Sequence, residues 1–161
     1  VAETWDERVA QVWASAEQLS DDAVLARIDA LVAERDEADA AAAFEAASVR
    51  DYLGLEAEAA PLYRRALDSG LAGPRRPQAT IQLASTLRNL GRPDEALSLL
   101  EEHLAEHPGD EWTAPAAAFL ALTLASAGRE REAASVALVA LSGTLPAYAG
   151  AVRRYALELR R

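Results

Sequence analysis

Apolar residues recur every three or four positions through most of this chain, and short polar turns carrying glycine or proline separate the runs. In 77–90 the spacing is carried by Ile81, Leu83, Ala84, Leu87 and Leu90; in 93–106 by Ala96, Leu97, Leu99, Leu100 and Leu104. Such intervals put side chains on one face of an α-helix, so both segments are predicted as amphipathic helices with those residues as the buried face. The same reading predicts helices over 40–53, 56–68, 114–127 and 130–142. A helix over 3–19 would bury Trp5, Val9, Val12, Trp13, Ala16 and Leu19. Ser20 would cap the next, over 21–35, with Val24, Leu25, Ile28, Leu31 and Val32 apolar. A final helix is expected to open at Pro146, with Tyr148, Val152, Tyr155 and Leu159 as its apolar stripe and Arg153, Arg154, Arg160 and Arg161 on the wet side.

The pattern repeats. Gly54, Gly91 and Gly128 lie 37 residues apart. Seven positions before each is an alanine (Ala47, Ala84, Ala121), and five after each is another (Ala59, Ala96, Ala133). Thirteen after each is Leu67, Leu104 or Leu141. Self-similarity at such a period marks stacked structural repeats. Each glycine can close a first helix in the left-handed conformation. Gly91-Arg92-Pro93-Asp94-Glu95-Ala96 then restarts a helix, with proline and two acids in its first turn. Small residues such as Ala84 and Ala96 stand where the paired helices would cross. The expectation is a single all-α domain of 161 residues, a right-handed α-α superhelix of about nine helices. It divides into repeats 40–76, 77–113 and 114–150, an N-terminal capping pair over 1–39 and a C-terminal capping helix over 146–161 that overlaps the last turn.

Leu90-Gly91-Arg92-Pro93-Asp94-Glu95-Ala96-Leu97 resembles the turn of a tetratricopeptide repeat. Pro61-Leu62-Tyr63-Arg64-Arg65-Ala66-Leu67 resembles its second helix, and His107-Pro108 fits the proline that ends one. The stretch from Arg75 to Gly91 is also similar to small bacterial tetratricopeptide proteins of unassigned function. The usual period is 34; the extra residues here fit the turns around Gly70–Arg76 and His107–Thr113. Two departures stand out. His103 replaces the small residue matching Ala66 and Ala140, and Ala43, Thr80 and Ala117 fall where the family carries a large aromatic.

Composition narrows the function classes. Net charge is -10, which argues against nucleic acid and against an anionic membrane surface. All 16 cations are arginine and 39 residues are alanine, which points to a GC-rich genome and to close helix packing. There is no cysteine, which excludes disulfides, thiolate metal sites and cysteine nucleophiles. The start, Val1-Ala2-Glu3-Thr4-Trp5-Asp6-Glu7-Arg8, lacks the features of a secretory signal, so a cytoplasmic location is expected. His103 and His107 stand one turn apart, but two ligands do not complete a zinc site, so no metal or cofactor is expected. No nucleophile elbow, phosphate loop or metalloprotease helix motif is present, so no enzyme is expected. The pairs Arg75-Arg76, Arg153-Arg154 and Arg160-Arg161 read as surface charge compensation.

What remains is a polar stripe. Gln78, Gln82, Ser85 and Asn89 are spaced four, three and four and share one helix face, with Arg75 a turn before and Arg88 beside Asn89. The resemblance implies that first helices line a concave, peptide-binding groove. The matching positions are Ala41, Glu45, Ser48 and Tyr52 in the first repeat, and Pro115, Phe119, Leu122 and Ser126 in the third. The expected partner-binding set is therefore Phe44, Ser48, Asp51, Tyr52, Arg75, Gln78, Ile81, Gln82, Ser85, Arg88, Asn89 and Leu122. Arg88 and Asn89 would fix a peptide backbone or carboxylate, and Phe44, Tyr52 and Ile81 would supply contact area. The family's carboxylate-binding variant uses lysine, arginine and asparagine where Phe44, Ser48, Ile81 and Ser85 stand here, so that variant is not expected. The expected function is a non-enzymatic module for an unidentified protein or peptide. The alternatives are a self-assembling chain that pairs through Trp5, Trp13 and the Tyr148–Tyr155 stripe, and a small-ligand sensor whose groove is the site.

Overall fold

The computed structural model describes residues 3–160. Among these residues there are nine α-helices and no strand. In order they are α1 Trp5–Ala14, α2 Asp21–Val32, α3 Ala40–Tyr52, α4 Glu56–Asp68, α5 Arg75–Asn89, α6 Pro93–Glu106, α7 Thr113–Ser126, α8 Glu130–Ser142 and α9 Ala149–Glu158. The all-α class is the expected one, with helices packed consecutively on their chain neighbours. The chain forms two compact units, residues up to Ala79 and residues from Thr80 onward, and α5 runs through the boundary.

The glycine turns explain why the helices pair. Gly54, Gly91 and Gly128 have φ of +72°, +73° and +73°. After each, the chain closes the same way: Leu55, Arg92 and Arg129 donate N–H to Arg50, Leu87 and Leu124 carbonyls at 2.8, 2.9 and 2.9 Å. Each glycine donates to the carbonyl three residues back. That is a Schellman closure, which satisfies end carbonyls that would otherwise lack a donor. Three residues then separate paired helices, whereas six separate α4 from α5, α6 from α7 and α8 from α9.

In the N-terminal unit Trp5, Val9, Val24, Ile28, Leu31, Ala42 and Val49 form one core cluster. The Trp5 indole donates to the Leu31 carbonyl at 2.8 Å, and Arg8 of α1 pairs with Glu34 just past the end of α2. Arg50 on α3 binds Asp29 on α2 at 2.9 Å. Ala47 and Ala59 are fully buried where α3 packs on α4, which small side chains allow. In the C-terminal unit Ala116, Leu120, Ala121, Leu124, Ala133 and Val136 are buried where α7 meets α6 and α8.

Four sequence expectations differ from the structure. The helix expected over 3–19 stops at Ala14 and resumes as a 3-10 turn, Ala16–Gln18. Ser15 marks the break: its hydroxyl donates to the Gln11 and Val12 carbonyls at 2.9 and 3.1 Å, in competition with the backbone ladder. The last helix starts at Ala149 and not at Pro146, because Tyr148 adopts a left-handed φ of +64°. Its inward residues are Val152, Ala156 and Leu159, and Tyr148 and Tyr155 stay 83% and 58% exposed. Leu90, expected in the core, lies past the end of α5 and is 38% exposed.

Candidate functional site

Helix α3 carries the first-repeat positions of the polar stripe, and it is surrounded. Eight consecutive residues, Ala42–Val49, are buried. Glu45 is among them, and it is held by two partners. The Trp13 indole donates to Glu45 Oε2 at 2.9 Å, and Arg75 Nε donates to Oε1 at 3.0 Å. Trp13 also meets Tyr52 edge to face, 5.8 Å between ring centres. Thus Trp13 of α1 covers Glu45 and the ring edge of Tyr52 on the first-repeat face.

This changes the role of several expected site residues. Phe44 is buried against Tyr63, with ring centres 6.1 Å apart, so it is core and not contact area for a ligand. Ser48 is buried, and the Tyr63 hydroxyl lies 3.5 Å from its Oγ and donates to Asp51 at 3.2 Å. Burial, then the Asp51 charge, pushes the Tyr63 phenol far above its ordinary pKa, so it stays a donor. Arg75 is spent on Glu45 and on Asp6, the latter at 2.8 Å. Burial works against its charge, but these two acids hold its pKa above the ordinary value. Tyr52 keeps half its surface, though its ring edge is taken by Trp13.

Along α5 the stripe is open to solvent in part. Gln78, Gln82, Ser85 and Arg88 are half-buried, and Asn89 is exposed. Ile81, one position off the stripe, is buried and belongs to the core. Arg88 Nη2 donates to Asn89 Oδ1 at 3.1 Å, which orients the guanidinium along the helix end. The Gln82 Oε1 atom is buried and has no hydrogen-bond partner among the described residues. An unpaired acceptor of this kind costs about 1–3 kcal/mol unless a donor reaches it. In the matching register of α7, Phe119 is half-buried and Leu122 is 49% exposed. Helix α9 packs on α8 and leaves Leu122 uncovered.

The remaining candidate chemistry is spare. His103 and His107 stack with ring centres 4.9 Å apart. His103 is buried, and its Nε2 has no partner among the described residues. Burial, and then the His107 charge, lowers its pKa. No group of three or more histidine or carboxylate side chains among the described residues is placed to hold a metal. No described helix is long and apolar enough to cross a membrane.

Glu45 is a further position whose role differs from the expected one, a buried anchor instead of part of an open stripe. A single charge inside Ala40–Ala47, a helix apolar on every side, was the available signal that it needed buried partners.

No curated protein and no solved structure matches this chain. The family model described as tetratrico peptide repeat matches residues 40–159, the span from the first residue of α3 to just beyond α9. Repeats of this kind serve in general as non-catalytic protein-interaction modules. With its paired helices closed by glycine at a fixed period, and with the family's pattern over three quarters of its length, this chain belongs to the tetratricopeptide repeat family.

Proposed function

We propose that the chain binds an extended peptide segment of a partner protein along α5 and α7 of its C-terminal unit. The observation that carries this reading is Gln82: a buried, unpaired carbonyl oxygen on an otherwise accessible polar row. Turned outward about its side-chain torsions, the Gln82 carbonyl takes a peptide N–H as the donor it lacks. Ser85 and Arg88 stand three and six residues further along the helix, suited to backbone carbonyls or a carboxylate of the same ligand. Leu122, at the equivalent repeat position on α7, is 49% exposed and offers apolar area. Within the C-terminal unit the row is Gln82, Ser85, Arg88, Asn89 and Leu122; Ile81 is buried, and on α3 Phe44 and Ser48 are buried. No catalytic group is assigned.

The test is selection from a displayed peptide library, followed by calorimetry on the enriched sequences. Wild type is expected to enrich a shared motif, and Gln82→Ala with Arg88→Glu to lose it at unchanged far-ultraviolet circular dichroism. Equal affinity in the folded double variant would place the ligand elsewhere.

A further inference from the structure

Helices α3 and α7 have packed neighbours on both sides: α2 and α4 for the first, α6 and α8 for the second. Helix α9 is packed on α8 through its Val152, Ala156 and Leu159 face, and Arg160 Nε donates to the buried Ser135 hydroxyl at 2.9 Å. Its opposite face is open. Gly150, Arg153, Arg154, Leu157 and Glu158 line a shallow recess of about 320 Å³ there. Gly150 is its floor: a Cβ added at that position meets nothing within 4 Å. Positions spaced three, one and three apart enclose the hole into which a side chain of a packed helix fits.

Charge indicates what fits this face. Residues 3–39 hold eleven carboxylates against three arginines, whereas 149–161 hold four arginines against one glutamate. Glu7, Ala10 and Ala14 are exposed on one side of α1, with the exposed Glu3 just before the helix and the exposed Glu17 in the 3-10 turn after it, so the strip is acidic towards its ends and small at its centre. Alanines there let a helix approach closely, and the flanking glutamates match Arg153 and Arg154. Arg154 stays extended over the Tyr155 ring, 4.9 Å from its centre.

We propose that the outer face of α9 docks the α1 row of a second copy of the chain. The contact joins two different surfaces, so each pairing leaves one α9 face and one α1 strip unmatched and further copies can add. It is independent of the peptide-binding reading, which uses α5 and α7.

Sedimentation velocity and light scattering over a concentration series, at low and high salt, test it. Wild type is expected to exceed monomer mass at low salt and to return to monomer as salt screens the contact. Arg153→Glu/Arg154→Glu and Glu3→Arg/Glu17→Arg should each weaken association by about tenfold or more, and a mixture of the two should restore it. Gly150→Phe fills the recess without changing charge and should weaken association as well, with circular dichroism confirming the fold. The proposal is overturned by a wild type that is monomeric at every concentration, by undiminished association in the Arg153/Arg154 variant, or by failure of the folded mixture to recover. An acidic helix from another protein binding α9 while this chain stays monomeric would also overturn it.

Discussion

The indole of Trp13 and the carboxylate of Glu45, 32 residues apart in sequence, are joined by a 2.9 Å hydrogen bond that holds α1 on α3. Without it a charge inside the N-terminal unit keeps only Arg75. Trp13→Phe preserves most of the packing and removes the donor. Its expected cost is about 1.5–3 kcal/mol in urea unfolding, the range for hydrogen bonds to charged groups.

The repeated glycine turn makes a second expectation. Gly91 sits at φ +73° with open space where a Cβ would go. Gly91→Ala therefore meets no clash, and its cost is backbone strain alone, about 1–2 kcal/mol. Gly91→Asn should cost less, because asparagine tolerates the left-handed region. Thermal midpoints of the two variants check the order.

Helix spacing makes a third. Ala59 is fully buried where α4 packs on α3. Ala59→Leu inserts three carbons into that crossing and should destabilise by about 1–3 kcal/mol. The exposed Ala57→Leu serves as the control and should change little.

The buried histidine makes a fourth. His103 has its pKa lowered from 6.5, chiefly by burial and then by the His107 charge, with Asp110 and Glu106 opposing. The unfolded chain binds that proton near 6.5, and the folded chain does so only at lower pH. Unfolding then takes up a proton, so stability falls as pH drops below 6.5 and is fully retained above it. His103→Leu should flatten that limb of a urea-midpoint profile. It should leave the more acidic limb, where Glu34 and Glu132 lose their arginine pairs.

Much of this fold was legible because its determinants are local and repeat. The glycines at 54, 91 and 128 and the alanines around them set helix ends and crossings within a few residues of themselves. The misses have longer reach. Ser15 breaks α1 through a hydroxyl bond that periodicity does not register. Phe44 and Ser48 fell on the expected binding face by repeat register, but both meet Tyr63 of α4, while Trp13 of α1, some 30 residues earlier, takes Glu45 and the edge of Tyr52. Register predicts which positions are equivalent; it does not predict what an atypical end lays over them.

Helix α3 has its full run Ala42–Val49 shielded, and in it the polar side chains of Glu45 and Ser48 are both within reach of partners. Opening any part of it exposes most of the unit's interior at once. Its amide protons should therefore be the slowest in the N-terminal unit to exchange with deuterated solvent, released only when the whole unit unfolds.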